Sequence, residues 1–245
     1  MFFYVCTVPL VSDPCVIHMK MNKIFIPATK PEDWQQFLAE PEKQWKTGFS
    51  ARSMAYCWQE ANGIPHDVMT VLSQMTDFKD LETLLVIPEH QVPLPGGTRP
   101  SQNDCWVLAR TKKDLVSIAI EGKVSEPFGP SIGEWSQDAS DGKKQRLSYL
   151  CSQLGLDDNL PENIRYQLLH RTASAVIEAK RFNARFAVMA VHSFSQSAEW
   201  LDDFKDFSSL FGVVAGINSI VSVGQRNDID LYLAWVCGDP QYLER

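Results

Sequence analysis

The stretch VSIAIEGKV, residues 116–124, decides how the middle of this chain folds. Its apolar and β-branched residues are typical of a buried strand. Glu121 and Lys123 then stand two positions apart, and side chains with that spacing in a strand point to the same side of the sheet. The sequence therefore places an acid and a base side by side at the end of an otherwise apolar strand.

The segments around this strand predict one sheet with helices packed on it. The turn KKD joins the strand over 115–124 to a preceding strand over 105–111, which predicts an antiparallel hairpin. In chain order, the predicted elements are a strand over 23–28, helices over 30–39, 50–63 and 66–75, strands over 81–92, 105–111 and 115–124, helices over 141–155 and 162–183, a strand over 184–194, a helix over 197–212 and a strand over 230–238. This succession indicates a mixed α/β fold with a central β-sheet flanked by helices.

The composition excludes several classes of protein. The chain has 245 residues and a formal net charge of −7, which argues against broad, non-specific adhesion to nucleic acid or to anionic membranes. No run approaches the roughly 18 apolar residues that a membrane span needs. The six cysteines are scattered and include no CxxC pair, which favours buried, reduced thiols and a cytoplasmic location.

The first residues differ in character from the rest of the chain. Residues 1–20 are apolar, but they lack the positively charged start of a secretory signal. We expect them to be a leader that is disordered or not native. One domain is then expected over residues 21–245.

The predicted hairpin brings a second acid close to Glu121. In an antiparallel pair the start of the first strand meets the end of the second, so Asp104 is expected at the same edge as Glu121 and Lys123. Like charges a few ångströms apart raise each other's pKa, and a hard divalent cation removes that conflict. Mg²⁺, or Mn²⁺ as its substitute, takes oxygen ligands and keeps waters beside one or two carboxylates. Lys123 could then orient or deprotonate a water molecule for attack on a phosphate.

This spacing also carries a resemblance to a known family. Asp104, followed 17 positions later by the triplet Glu121-Gly122-Lys123, resembles the PD-(D/E)xK nuclease superfamily, which has the restriction-endonuclease-like fold. In that family the acid opens the second core strand, the (D/E)xK triplet ends the third, and a helix and a fourth strand follow. Residues 50–195 show the same order. The blocks IPEH, LPGG, SQND and EGKVSEPFGP also resemble a poorly characterised group of bacterial proteins.

The resemblance implies a role for each residue of the motif. Asp104 and Glu121 are implied as metal ligands, with the Gly122 carbonyl as a further ligand. Lys123 is implied as the catalytic lysine. Asn103 stands where the nominal motif has proline, a position at which the family is loose.

Other side chains could complete such a site. Many family members add an acid from the first core helix, where Glu60 is the candidate, and Glu89 competes for this role from the strand before the Pro- and Gly-rich loop. The sequence leaves the choice between the two acids open. The helix after the triplet carries further polar side chains that could contact phosphate or a nucleic-acid backbone: Arg165, Gln167, His170 and Arg171. Spacings of three and four residues put the last three of these on one face.

The resemblance implies Mg²⁺-dependent hydrolysis of phosphodiester bonds in nucleic acid, with DNA as the expected substrate. An alternative is a non-catalytic binding or regulatory module on the same fold, in which the charges form a structural ion-pair network. A third interpretation is a metal-dependent hydrolase of a smaller phosphorylated substrate. The acidic net charge favours a narrow basic cleft, or a homodimer or larger complex that supplies the DNA contacts.

Overall fold

The structure, a computed structural model, describes Ile24 and residues 28–245, and a six-stranded β-sheet forms its centre. The strands are β1 (Glu82–Val92), β2 (Ser101–Arg110), β3 (Leu115–Lys123), β4 (Phe186–Ser193), β5 (Ser219–Arg226) and β6 (Ile229–Cys237). They lie side by side in the order β1-β2-β3-β4-β6-β5. The pairs β3–β4 and β4–β6 are parallel and the other pairs are antiparallel, so the sheet is mixed.

Helices cover both faces of this sheet. They are α1 (Pro41–Gln44), α2 (Ser50–Ala61), α3 (His66–Leu72), α4 (Ile132–Ser136), α5 (Asp141–Leu154), α6 (Tyr166–Arg181) and α7 (Leu201–Ser209), with 3₁₀-helices at Pro31–Phe37, Thr76–Phe78 and Pro240–Glu244. Buried apolar side chains form one layer between the sheet and α2 and α3, and a second layer between the sheet and α5, α6 and α7. The predicted mixed α/β fold, with a central sheet flanked by helices, is confirmed.

The central strands are apolar runs because both of their faces are covered. Every residue of β4 is buried, as expected for a strand with parallel neighbours and helices on both sides. Along β3, Ile118 and Ile120 join the layer under α2, whereas Ala119 joins the layer under α6. Because side chains alternate along a strand, Glu121 and Lys123 project on the α6 side of the sheet.

The structure departs from the sequence prediction at several boundaries. β2 begins at Ser101, inside the predicted loop, and β5 has no counterpart in the prediction. α2 ends at Ala61, and Asn62, with a left-handed φ of 47°, caps the helix one residue before the expected Gly63. The predicted helix over 30–39 is a 3₁₀-helix over Pro31–Phe37.

Two sequence predictions concern the start of the chain. The leader predicted over residues 1–20 lies outside the described residues. Of the strand predicted over 23–28, Ile24 and Ala28 are described, and Ile24 forms an isolated parallel bridge with Val86 of β1. Within the described part of the chain, no helix is both long enough and apolar enough to cross a membrane.

Candidate active site

A cleft with a charged lining lies where the end of β3 meets the start of α6. Its volume is about 370 Å³. The charged and amide side chains that line it are Lys43, Gln44, Glu89, Gln102, Asp104, Glu121, Lys123, Glu126, Gln167 and Arg171. Most of the residues that the sequence singles out for a site are therefore brought together here, from three strands and one helix.

Glu121 is the centre of the hydrogen-bond network in this cleft. Its Oε1 accepts hydrogen bonds from Lys123 Nζ at 2.6 Å and from Gln167 Nε2 at 2.7 Å. Its Oε2 accepts a hydrogen bond from Arg171 Nε at 2.5 Å. Burial raises the pKa of Glu121, but the charges of Arg171 and Lys123 outweigh burial, so this pKa lies below its ordinary value. Glu121 is therefore a carboxylate held between two cations.

Asp104 is in the opposite electrostatic situation. Its Oδ2 accepts a hydrogen bond from the Gly122 amide at 2.8 Å, whereas its Oδ1 lies 4.0 Å from Arg171 Nη2, beyond hydrogen-bond distance. Burial, together with the negative charge of Glu121, raises the pKa of Asp104 to about 7. Negative charge at this end of the cleft is thus not fully compensated. Gly122 meets Asp104 through its amide, and the role of its carbonyl as a metal ligand stays a prediction.

Glu89 adds a third carboxylate, and its backbone is strained. The register of β1 and β2 puts Glu89 opposite Asp104. Its φ of 51° is a left-handed value that is uncommon for a residue other than glycine, and such strain concentrates at functional sites. Its Oε2 accepts a hydrogen bond from Gln102 Nε2 at 2.7 Å. Burial and the charge of Asp104 raise the pKa of Glu89 well above its ordinary value.

Lys123 is held in place from three directions. Its ammonium group donates a hydrogen bond to Glu121 and another to Gln167 Oε1 at 3.2 Å. The same nitrogen lies 4.9 Å from the centre of the Phe128 ring, within cation–π distance. The Lys123 side chain is only 5% exposed. Its charge is therefore presented to the cleft in a fixed position.

The fold separates the two candidates for a third acid. Glu60 lies at the end of α2 and lines a different cavity, where its Oε2 accepts a hydrogen bond from the Tyr242 hydroxyl at 3.3 Å. That contact joins positions 182 residues apart, so no local sequence pattern indicates it. Glu89 lines the cleft. The structure thus brings Glu89, and not Glu60, to Asp104.

Two of the residues expected to position a substrate are not among those that line the cleft. Arg165 Nε donates a hydrogen bond to Asp203 Oδ2 of α7 at 3.0 Å. His170 Nδ1 is hydrogen-bonded to Ser101 Oγ at 2.7 Å. Burial and the neighbouring charge of Arg171 lower the pKa of His170 well below its ordinary value, so the imidazole is neutral at pH 7.

Sequence reasoning missed two polar groups beside the cleft because they lie in the predicted loop. Ser101 is buried, and its Oγ accepts a hydrogen bond from Arg171 Nη1 at 3.3 Å. Gln102 holds the carboxylate of Glu89. The signal in the sequence is weak, since a strand that begins directly after a Pro- and Gly-rich loop has no apolar alternation in its first residues.

A comparison with known families assigns the chain to one of them. The family described as a domain of unknown function (DUF6946) matches residues 27–240. The chain belongs to this family. The DUF6946 match spans all six strands and every residue of the cleft. No curated protein and no solved structure matches the chain. The family description carries no activity, so the function has to be inferred from the chemistry of the cleft.

Proposed function

We propose that this DUF6946 chain hydrolyses phosphodiester bonds of nucleic acid, with DNA as the first substrate to test and Mg²⁺ as the cofactor. One observation carries the proposal: Asp104, Glu121 and Lys123 come from two strands and line one cleft, with Lys123 Nζ 2.6 Å from Glu121 Oε1. Two acids and an adjacent amine are the set expected for a PD-(D/E)xK site, which the sequence resembles.

The order and direction of the elements support a restriction-endonuclease-like core. β1, β2 and β3 form an antiparallel meander, α6 packs on it, and β4 pairs parallel with β3. Asp104 lies on the second strand of this core, while Glu121 and Lys123 lie at the end of the third. One detail differs from the resemblance, since Asp104 is the fourth residue of β2 rather than its first.

The charges at the base of the cleft fit a divalent cation. Three carboxylates, on Glu89, Asp104 and Glu121, meet two buried cations, on Lys123 and Arg171. Burial, together with the charge of Glu121, raises the pKa of Asp104. Carboxylate oxygens are the ligands that Mg²⁺ prefers, and it usually binds one or two of them. Among the described residues, the three carboxylates are not gathered within 4.8 Å of one another, so we assign the ion to the carboxylates of Asp104 and Glu121, with the Gly122 carbonyl as the further ligand that the resemblance implies.

The residues of the cleft would divide the chemistry between them. Bound Mg²⁺ would stabilise the negative charge that develops on the phosphate during hydrolysis. Lys123 would orient the attacking water with its ammonium group, which Gln167 keeps in place. Arg171 has more donors than Glu121 uses, so it would also contact a phosphate oxygen. Glu89 would assist as the third acid.

A second candidate function is a non-catalytic binding or regulatory module. The observation that favours it is the completeness of the network at Glu121, both of whose oxygens already accept hydrogen bonds from Lys123, Gln167 and Arg171. Buried ion pairs with full hydrogen bonding can be retained for structure alone. In that case the cleft would need no metal ion.

Metal binding separates the two candidates. Calorimetric titration with Mn²⁺ compares the wild type with Asp104→Asn, and Glu82→Gln serves as a matched control because Glu82 lies at the other end of β1 in an exposed pair with Arg110. We expect Asp104→Asn to lose Mn²⁺ binding without losing thermal stability, while Glu82→Gln binds like the wild type. A wild type that binds no Mn²⁺ at millimolar concentration contradicts the metal proposal and favours the ion-pair module.

Cleavage assays then test the reaction and the substrate. Single- and double-stranded DNA, RNA and a small phosphodiester are incubated with the protein and Mg²⁺. We expect DNA cleavage, and a loss of about 10²-fold or more in Lys123→Gln, since general acid–base groups contribute about 10²–10⁴-fold. Cleavage by Lys123→Gln at the wild-type rate would contradict the role of Lys123. Hydrolysis of the small phosphodiester alone would favour the hydrolase of smaller substrates.

A further inference from the structure

A second group of ligand-type side chains lies on the face of the sheet opposite the cleft. Cys57 of α2, Asp67 of α3 and His192 of β4 bring a sulfur, an oxygen and a nitrogen within 4.8 Å of one another. Asp67 Oδ2 lies 3.0 Å from His192 Nε2. Cys57 and Asp67 lie on consecutive helices, whereas His192 follows 125 positions after Asp67, so only the fold brings the histidine to the other two.

This group lies beside the cavity that Glu60 also lines. The volume of this cavity is about 630 Å³, and Cys57 and Asp67 form part of its wall. Cys57 and His192 are buried, whereas the Asp67 side chain is 25% exposed. Cys57 and His192 are therefore held in the core, and both Cys57 and Asp67 border the cavity. The described residues that line the cavity include no lysine or arginine, so no resident cation occupies the place of a metal.

We propose that Cys57, Asp67 and His192 bind a divalent transition-metal ion of the Zn²⁺ type, at a site separate from the cleft. Zn²⁺ binds thiolate, imidazole and carboxylate ligands. Three protein ligands with one position left for water or substrate are typical of zinc sites that act on a ligand, whereas structural sites have four protein ligands. The cavity beside Asp67 has room for that fourth ligand.

The donor types distinguish this site from the cleft. Thiolate and imidazole favour Zn²⁺ and related ions, whereas Mg²⁺ prefers sites made of oxygen. The thiolate is the ligand, so the Cys57 thiol releases its proton to solvent when the ion binds. The two sites should therefore respond to different metals and to different substitutions.

A hydrogen bond from Trp58 determines which nitrogen of His192 carries the proton. The indole Nε1–H of Trp58 donates a hydrogen bond to His192 Nδ1 at 3.2 Å, and an indole nitrogen can only donate. Without metal, the imidazole proton therefore lies on Nε2 and is donated to Asp67. Binding of the ion through Nε2 moves this proton to Nδ1 and breaks the contact with Trp58. The hydrogen bond from Trp58 thus opposes metal binding.

Co²⁺ is a suitable probe because it replaces Zn²⁺ and gives a charge-transfer absorption in the near ultraviolet when a thiolate binds it. The experiment uses the full-length protein with the substitutions Cys6→Ser and Cys15→Ser. The absorption then reports on the four remaining thiols, those of Cys57, Cys105, Cys151 and Cys237. Into this background are placed the ligand variants Cys57→Ser, Asp67→Asn and His192→Gln, and the control Cys151→Ser, which removes a buried thiol of α5 on the other face. Metal-free thermal melting identifies any variant that does not fold.

We expect the thiolate absorption to saturate with one equivalent of Co²⁺ and to disappear when Zn²⁺ is added, whereas Co²⁺ bound by the carboxylates of the cleft gives no thiolate absorption. Cys57→Ser should abolish this absorption, and Asp67→Asn and His192→Gln should weaken Co²⁺ binding by about tenfold or more, as the loss of an outer contact to a ligand already does. Cys151→Ser should leave it unchanged. No absorption at millimolar Co²⁺, or an absorption that persists in folded Cys57→Ser, would overturn the site.

Trp58→Phe provides a second test, because its expected result does not follow if Cys57, Asp67 and His192 have a purely structural role. Removal of the opposing hydrogen bond should tighten Co²⁺ binding by about fivefold, the equivalent of one typical hydrogen bond. Binding that is unchanged or weaker would overturn coordination through His192 Nε2. Asp104→Asn should leave the Co²⁺ absorption intact, so the failure of either proposed metal site is recognised independently of the other.

Discussion

Two carboxylates that face each other across the β2–β3 hairpin have pKa values shifted in opposite directions. Burial and the charge of Glu121 raise the pKa of Asp104 to about 7. Burial also acts on Glu121, but Arg171 and Lys123 bring its pKa below the ordinary value. The cause is geometric, since the Arg171 guanidinium is hydrogen-bonded to Glu121 and lies 4.0 Å from Asp104. Neighbouring carboxyl groups driven apart in this way can take different chemical roles.

The raised pKa of Asp104 predicts how stability depends on pH in the absence of metal. Between pH 4 and 7 the folded protein keeps the Asp104 proton while the unfolded chain has lost it, so the wild type loses stability as pH rises through this range. Asp104→Asn lacks this loss. Above pH 7 the variant should be more stable than the wild type by up to about 4 kcal/mol.

Urea unfolding of both proteins in chelator, at pH 4.5 and pH 8, measures this difference. It should be small at the lower pH and large at the higher one. A variant that is less stable than the wild type at pH 8 would show that Asp104 is a favourable member of an ion-pair network, as the binding-module hypothesis requires.

The left-handed backbone of Glu89 predicts a second effect at the scale of one residue. Glu89→Ala removes the half-buried carboxylate and keeps the strain, whereas Glu89→Gly removes both. The glycine variant should be more stable than the alanine variant by about 1 kcal/mol, because glycine adopts a positive φ without steric cost. Chemical unfolding of the two variants at one pH measures this. Equal stabilities would mean that the backbone at position 89 relaxes once the carboxylate is gone.

At the scale of the residue, the sequence was sufficient to predict that the residues of the motif lie together, but not which side chains surround them. Asp104, Glu121 and Lys123 could be placed together because a two-residue period and one hairpin fix their relative positions. The choice between Glu60 and Glu89 depended on which way the end of α2 faces, and a contact with the far end of the chain decides that. Strand and hairpin patterns carry no information about such a contact.

At the scale of the element, α6 is attached to the sheet through a buried ion pair. Arg171 and Glu121 are both buried, so Arg171→Met leaves the carboxylate without its closest cation. The expected loss of stability is about 3–5 kcal/mol. Lys180→Met on the same helix is the matched control, because the lysine is exposed and donates a hydrogen bond to the amide of Gln153 rather than to a buried carboxylate. It should cost less than about 1 kcal/mol.

A double-mutant cycle completes this test. Arg171→Met combined with Glu121→Gln should recover part of the loss, since the second substitution removes the unpaired charge. Urea unfolding gives the free energies for all four proteins of the cycle. Losses that simply add would contradict a direct coupling between Arg171 and Glu121.

The strand β5, which the sequence analysis did not predict, lies at the edge of the sheet and has an irregular pattern of polarity. β5 is half polar, and its register against β6 shifts between Ser222 and Gly224, where glycine has a φ of 81°. A bulge of this kind interrupts the regular alternation that identifies a strand. The sequence did offer one signal, the dipeptide Asn227-Asp228, because asparagine and aspartate are common in two-residue hairpin turns. In the structure both residues have a positive φ, as such a turn requires.

At the scale of the whole molecule, the order of the strands was beyond the sequence pattern. The meander β1-β2-β3 follows chain order, and short connections make it predictable. The order of the later strands does not follow chain order, because β4 inserts beside β3 after three helices and β6 lies between β4 and β5. Pairing between distant segments depends on the shape of the assembled layers, which local periodicity does not record.

The acidic net charge of −7 predicts weak, salt-limited binding of DNA. The lysines and arginines that line the cleft are Lys43, Lys123 and Arg171. With at most these phosphate contacts, the slope of log K against log salt should be no steeper than about −3. Fluorescence anisotropy with a short duplex, without divalent cations, measures this slope.

Single-charge variants locate the DNA on the surface. Lys43→Gln should reduce the slope by about 1, because it removes one phosphate contact. Lys112→Gln, which removes a charge paired with Asp80, should leave the slope unchanged. The reverse result would mean that DNA binds at a surface other than the cleft.

The charges of the cleft are not synthesised together. Glu89, Asp104, Glu121 and Lys123 all lie between positions 89 and 123, on consecutive strands, whereas Arg171 follows 50 positions after Glu121. At about 5–20 residues per second, the ribosome leaves these acids without their arginine for roughly 3–10 seconds. During that interval Lys123, together with protons and divalent ions of the surrounding solution, provides the available counter-charges. The ionic conditions at the site of synthesis therefore act on the nascent meander before the helix that completes the cleft exists.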